Sequence, residues 1–364
     1  MRILCLDAGS SSLKFALYDF AALDDGHLRF DGEVETDAEN VAAAASQVWE
    51  RVREPDALPD AVGHRVVFGG PDRDAPVRVD GQVLPELERG ADFDPLHLGP
   101  ELAIVEAAMQ KFPHLPQVLC FDTAFFHALP DVAKLLPLPR GLPPEIRRYG
   151  FHGLSYESVL ASLGHPGGRI AIAHLGSGAS LCAVRAGRPV DTTMGFSVLG
   201  GLMMETRPGD LDPGVLLELL LKHERSASDL SEMLYRESGL KGVSGLSGDM
   251  RALLAAEGSN PQAAQAIALF VHQLVKHLGA MIAAMGGLDT LVFTGGIGEH
   301  APAIRERACA AFGYLGLQLD EGANARGDAM ISSKESGVEV RIVPANENAM
   351  IARHVWTVLE EGSR

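Results

Sequence analysis

A chain of 364 residues is longer than one hydrophobic core usually serves, and with 46% hydrophobic residues it can fill two. The net charge of −17 excludes an electrostatic partnership with nucleic acid or an acidic membrane, although a few local cations can still hold a small anion. The four cysteines, Cys5, Cys120, Cys182 and Cys309, lie far apart, three of them in apolar strand-like runs, so buried reduced thiols are expected rather than disulfides or metal ligands.

Residues 1–19, MRILCLDAGSSSLKFALYD, read as strand, tight turn, strand, because Ile3 to Leu6 and Leu13 to Tyr18 are apolar runs without helical period. A turn of Gly9 and three serines brings backbone N–H groups close to an anion, and Asp7 stands at the strand end where a metal can be held. The same residues also suit a plain hairpin with a polar tip. With the first strand starting almost at Met1, no charged n-region, cleavage site or spanning apolar stretch is seen, and a cytosolic protein is expected. Leu28 to Val34 alternates as an edge strand, and Val41 to Arg53 is an alanine-rich helix.

Ala61 to Phe68 is a strand that carries Arg65 among apolar neighbours; a buried arginine is expensive unless it meets an anion or a carboxylate. Asp94-Pro95-Leu96-His97 precedes a helix opening at Gly99-Pro100, which puts His97 just before a helix N-terminus. Gln117 to Phe121 is a strand ended by Asp122-Thr123, and strand C-terminal ends are where open α/β sheets carry ligand chemistry. Ile146 to Gly153, IRRYGFHG, holds two arginines, two aromatics and His152, which by itself fits a core histidine as well as a ligand.

Ile170 to Val184 then repeats the opening pattern, strand, Gly176-Ser177-Gly178-Ala179-Ser180, strand. Two such hairpins half a chain apart predict a duplicated fold with one phosphate loop from each half facing a shared cleft. Asp191 to Pro213 is a long loop rich in Gly, Met and Thr that carries Arg207, and long loops kept in compact domains are often functional. Asp212-Pro213 starts a helix to about Lys222, Ser238 to Asp249 is a glycine-serine turn region, and Asn260-Pro261 opens the longest helix, to about Met285. Leu288 to Gly298, LDTLVFTGGIG, is strand, glycine turn and helix; Val338 to Val343 is a strand, and Asn346 to Leu359 a helix with Glu347 in its first turn.

GxxxxGK[ST] is absent, Leu181 stands where a dinucleotide fingerprint needs its third glycine, no spacing suits zinc, and there is no GxSxG elbow. What remains is an anion-binding set: two glycine-serine turns, Arg65, Arg207, His97, His152 and the carboxylates Asp7, Asp122 and Glu347. Phosphoryl transfer asks for cations around three equatorial oxygens, a divalent metal and in-line positioning, which this set can meet.

Ten segments in order, MRILCLDAGSSSLKF, GHRVVFGG, DPLH, FDTAFFHALP, IRRYGFHG, HLGSGAS, TRPGDLDP, SGLKGVSG, FTGGIGE and PANENAMIAR, resemble the successive motifs of the acetate kinase family over residues 1 to about 353. The resemblance implies an α/β fold of duplicated ribonuclease-H-like (actin-like ATPase) domains flanking an active-site cleft. It implies residues 1–126 plus 349–364 as the first domain and 127–348 as the second. It also implies reversible transfer of the ATP γ-phosphoryl group to acetate, with Mg2+ or Mn2+, in a cytoplasmic homodimer.

Carried over by position, Arg65 and Arg207 clamp the carboxylate and the transferring group, His152 and His97 hydrogen-bond phosphoryl oxygens, Asp122 orients an arginine, and Asp7 and Glu347 hold the metal. Ser10, Ser12 and Lys14 line one phosphate loop and His174, Gly176, Ser177 and Gly178 the other. Asp249, Arg251, Gly295, Gly296, Ile297 and Gly298 surround the adenosine, and Val67, Leu96, Phe151 and Val198 wall the acyl pocket. Several positions depart from the usual pattern: Asp7 and Ser177 replace Asn, Phe68 replaces His and Leu98 replaces Asn, which predicts a less polar rim. Val198 replaces Pro, with Gly200 and Glu205 changing the same loop, so the preferred acid is open between acetate and propionate. A pyrophosphate-dependent kinase and, in another class, a nucleotide-switched binding protein without catalysis are the alternatives.

Overall fold

The computed structural model describes the chain except for residues 10–11, 24, 37–39, 55–56, 89–97, 165–166 and 362–364 and the side chain of Ala42. Ser10, Leu96 and His97 therefore lie outside the described residues. Two compact units are present, one of Met1–His127, Phe151–Ser158 and Asn346–Arg364, the other of Ala128–Gly150 and Val159–Ala345. The first unit thus takes in 127, 151–158 and 346–348 beyond the stretch expected for it.

In the first unit β1 (Arg2–Ala8) and β2 (Ser12–Phe20) form the opening hairpin, closed where the Gly9 N–H donates to Ser12 O at 2.8 Å. β3 (Gly26–Glu35) pairs antiparallel on the outer edge of β2. After α1 (Val41–Arg51), β4 (Ala61–Val66) returns parallel beside β1. The short β5 (Val77–Arg78), α2 (Val83–Glu88) and α3 (Leu98–Lys111) lead to β6 (Gln117–Phe121), parallel to β4. The sheet order is β3-β2-β1-β4-β6-β5.

The short α4 (Asp131–Lys134) and α5 (Gly153–Ser162) precede the second sheet. There β7 (Arg169–Leu175), β8 (Ala179–Arg185) and β9 (Arg188–Thr192) form an antiparallel meander. Then come α6 (Pro213–Lys222), α7 (Ala227–Glu232), α8 (Gly239–Ser244), α9 (Met250–Ala256) and α10 (Pro261–Met285). β10 (Thr290–Thr294), α11 (Gly295–His300), α12 (Pro302–Ala310), α13 (Glu321–Arg326), β11 (Glu339–Ile342) and α14 (Glu347–Glu361) complete the chain. The order β9-β8-β7-β10-β11, with β10 and β11 parallel to β7, repeats β3-β2-β1-β4-β6 strand for strand. Both second strands even shift register midway, at Leu17/Tyr18 and at Ala183/Val184. The duplication expected from the two hairpins is therefore a duplication of whole sheets.

Side chains alternate across a strand, so each face of the first sheet builds its own core. Leu4, Leu6 and Val62 pack with Val48 of α1 and Ile104 and Ala108 of α3. Ile3, Cys5, Ala61, Val118 and Cys120 pack on the other face with Ile351, Ala352 and Val355 of α14. α14 comes so close to β4 that a Cβ on Gly63 would lie 2.5 Å from both Ile351 Cγ2 and Val355 Cγ2. All four thiols are free and buried, and burial pushes those of Cys5, Cys120 and Cys182 well above the ordinary range and that of Cys309 up to about 12.

α10 is apolar enough to cross a bilayer by composition, but Ala266, Ile267, Phe270, Leu274 and Leu278 are buried and it packs on β8, α8 and α9, as a core helix does. Two expectations are corrected. Ser238–Asp249 is not all turn: Leu240 and Ser244 are buried and α8 forms against α10, ended by Gly245 in the left-handed region. Phe68 and Leu98 form no rim; both are buried, Leu98 in a core with Val66, Leu119 and Phe121.

His64 is buried on the α1 and α3 side of β4, its Nε2 2.7 Å from Gln117 Oε1, and burial lowers its pKa to about 4. The unfolded chain takes up this proton near pH 6.5, so the stability is complete above that pH and falls as pH drops toward 4, by on the order of 3 kcal/mol. Denaturant unfolding at pH 7 and pH 5 is expected to show a smaller pH loss for His64→Gln than for the unsubstituted protein; equal losses exclude His64 as the titrating group.

Candidate active site

In the first sheet β1, β4 and β6 are adjacent and parallel, and odd residues of β1 and β4 share a face with even residues of β6. Asp7, Arg65 and Asp122 continue that face at the C-terminal ends, following Cys5, Gly63 and Cys120. Arg65 Nε and Nη2 donate to Asp122 Oδ2 at 3.0 and 2.7 Å, and Nη1 donates to Asp7 Oδ1 at 3.0 Å. Three of its five donors are thus committed. Its side chain is only 12% exposed, and Asp122 is fully buried. α14, packed on the same face, brings Glu347 in its first turn toward this cluster, and Lys14 pairs across from Asp7 on β2.

The electrostatics follow from burial. Loss of water opposes the charge on Arg65, but Asp122, Asp7, Glu347 and Glu101 outweigh it and hold the guanidinium well above its ordinary pKa. Burial pushes Asp122 up against the pull of Arg65. Burial also pushes Glu347 up to about 8, opposed by Arg65 and Lys14 and reinforced by Asp7 and Asp122, although part of its surface still meets water. Three carboxylates around one guanidinium leave surplus negative charge, which a proton or a cation corrects.

Among the described residues no three or more His, Cys, Asp or Glu side chains close into a metal-ligand group. Asp7 and Glu347 offer oxygens to a cation that keeps most of its water and takes phosphate oxygens, as Mg2+ does. The donor set fits that ion and not a metal needing an all-protein cage.

His152 belongs to the same unit. The Gly153 N–H donates to Asp122 O at 3.0 Å, and His152 O accepts from Tyr156 N–H at 3.1 Å at the start of α5. His152 takes φ 64°, a left-handed conformation uncommon outside glycine and typical of functional sites. Val67 and Phe151 are buried. Sequence reasoning missed Glu101, which is buried on α3 and accepts the Val67 N–H at 2.9 Å just beyond Arg65. Its signal was a carboxylate inside the apolar run Leu98 to Val105. Ser12 donates to Glu33 at 2.5 Å, and Lys14 is exposed.

In the second unit the end of β7 carries His174 and the turn Gly176 to Gly178, closed by Gly176 N–H to Gly178 O at 2.9 Å. The turn after the adjacent parallel β10 packs on it: Gly295, at φ 77°, leaves room for no Cβ, which would lie 2.9 Å from Leu175 O. His174, Gly176, Ser177, Gly178 and Gly295 to Gly298 therefore lie at one end of one strand pair. Asp249 and Arg251 stand apart from it in sequence and element, at the N-terminus of α9, where Asp249 caps the Arg251 N–H at 2.8 Å and pairs with its guanidinium. Arg207 is buried in the long loop, its Nη1 donating to Val198 O at 3.0 Å.

The model of the acetokinase family matches residues 24–353. An acetate kinase of Rhodopseudomonas palustris (strain CGA009) is 45% identical, over 99% of each chain, and a propionate kinase of Citrobacter rodentium is 38% identical, over 98% of this chain and 96% of that one. Among solved structures, Porphyromonas gingivalis acetate kinase superposes with a TM-score of 0.85 at 33% identity, covering 98% of this chain and 99% of its own. Entamoeba histolytica acetate kinase gives a TM-score of 0.87 at 29% identity, covering 99% and 100%.

Replacing Arg65 by Met removes the one guanidinium from a cluster of buried carboxylates. Equilibrium unfolding is expected to show a loss of about 3 kcal/mol at pH 7.5, shrinking at pH 5.5 as the carboxylates take up protons. A loss that is equal at both pH values counts against the electrostatic account.

Proposed function

Since the chain belongs to the acetokinase family, we propose that it transfers the γ-phosphoryl group of ATP to acetate, reversibly and in one in-line step. Members of this family are phosphotransferases with a carboxyl acceptor that use ATP and a divalent metal. A carboxylate oxygen forms the new bond to phosphorus as the bond to the β-phosphate bridging oxygen breaks, and ADP leaves. A carboxylic acid is already ionised at neutral pH, so the acceptor needs no general base. The reaction instead asks for cations that bring two anions together and stabilise the transferring group.

The observation that carries this reading is Arg65, largely shielded from water at the end of β4, gripped by Asp122 and Asp7 and with two donors uncommitted. In this reading Arg65 and Arg207 bind the acid and the transferring oxygens, His152 and His97 donate to those oxygens, and Asp122 keeps Arg65 from rotating. Asp7 and Glu347 would hold Mg2+, which supplies charge neutralisation on the phosphates. Ser10, Ser12 and Lys14, with His174 and Gly176 to Gly178, receive the phosphates. Gly295 to Gly298, Asp249 and Arg251 receive the adenosine, and Val67, Leu96, Phe151 and Val198 the methyl group. The two domains are taken as the two duplicated sheets with their helices.

Hydroxamate trapping of the acyl phosphate formed from ATP, Mg2+ and acetate, propionate or butyrate tests the reading. One methylene is worth roughly tenfold or more in such a pocket, so kcat/KM for acetate is expected to exceed that for propionate by about that factor. A higher value for propionate moves the assignment to a propionate kinase, with which the chain is also similar. Absence of any acyl phosphate refutes the kinase reading.

A cytoplasmic homodimer belongs to the same proposal. α6 supports a subunit contact, since none of its residues is buried while Val215, Leu217, Leu220 and Leu221 are exposed. Sedimentation is expected to give a dimer that Leu217→Glu with Leu221→Glu converts to monomer; a monomeric unsubstituted protein refutes it.

A further inference from the structure

One buried arginine has no carboxylate partner. Arg305, on α12, is 1% exposed, the largest fully buried side chain among the described residues. Its Nη1 donates to Gly298 O at 2.8 Å and to Glu299 O at 2.9 Å, its Nε to Asn324 Oδ1 at 2.8 Å, and its Nη2 to Asn324 O at 2.8 Å. Asn324, itself buried on α13, returns its Nδ2 to Pro302 O at 3.1 Å. Every partner is a neutral oxygen. Burial pulls the guanidinium below its ordinary pKa, and the nearby Cys309 offsets this only in part.

A cation so placed costs free energy unless it satisfies groups that nothing else can. Those groups are the last carbonyls of α11. In a continuing helix Gly298 O would accept from the N–H of residue 302, but residue 302 is proline and has none. The chain bends there, α12 begins at Pro302, and Arg305 reaches back to fill the missing bond. α11, α12 and α13 are tied at one point through one planar fork, which an ammonium cannot imitate.

We propose that Arg305, with Asn324, is a positioning residue for nucleotide binding: it fixes the turn Gly295 to Gly298 from behind, through the carbonyls of Gly298 and Glu299, without touching the ligand. The proposal rests on reading that turn as part of the ATP site. A loose C-terminal end of a six-residue helix displaces its start, and the start is the turn that packs on β7.

The test compares Arg305→Lys, Arg305→Gln and Asn324→Ser in the full-length protein, with ATP and ADP titrated calorimetrically in Mg2+, separate KM values for ATP and acetate, and thermal unfolding. Arg305→Gln is expected to raise Kd and KM for ATP about tenfold or more, Arg305→Lys and Asn324→Ser less, with KM for acetate within about twofold. Lowered thermal stability with unchanged ATP affinity in all three reduces Arg305 to a structural role and overturns the proposal. Should Arg305→Gln fail to fold, Asn324→Ser carries the same comparison. Gly296→Val is the control, since a Cβ there meets nothing within 4 Å and the nucleotide reading sets the ligand against this residue. If it binds ATP normally, the nucleotide reading itself fails.

Discussion

A single guanidinium surrounded by carboxylates governs the first unit. Arg65 is largely shielded from water at the end of a central strand, and a charge there persists only with partners at hydrogen-bond distance. Asp122 and Asp7 supply them from the flanking parallel strands, and Glu347 adds a third carboxyl group from α14. The glycine at position 63 lets α14 sit down on the sheet, and the helix in turn delivers Glu347. The packing of the core and the charge balance of the site are one arrangement.

That arrangement suits transfer of a phosphoryl group to an acceptor that is already an anion. Proton transfer contributes little when the acceptor is ionised, so the site is built of fixed cations and oxygens and not of a matched acid and base. The duplication explains where the parts come from. Each sheet ends its first strand in a glycine-serine hairpin and sets a parallel strand beside it, whose end carries Arg65 in one unit and the Gly295 turn in the other. One topology has been given two jobs.

Arg65 and Arg305 show how the same side chain is stabilised in opposite ways. Arg65 meets carboxylates and leaves two of its donors uncommitted; Arg305 meets only carbonyl oxygens. The first is bound by charge, the second by the geometry of its fork, where a proline has removed the ordinary hydrogen bond.

Local pattern in the chain was enough for the strands, the two hairpins, the caps at Asp212 and Asn260, and the buried thiols, because apolar period, turn residues and capping residues act over a few neighbours. The ordered motifs were enough for the family. Tertiary structure alone decided that Asp7, Arg65 and Asp122 share one face, since this depends on the register of β1, β4 and β6, and register is set by contacts between residues dozens apart. It decided that Phe68 and Leu98 are core, that Ser238 to Asp249 holds a helix pressed on α10, and that Glu101 and Arg305 are buried. Nothing within a few residues of those positions records their partners, which come from other elements, and burial of a charge is settled only when those elements close around it.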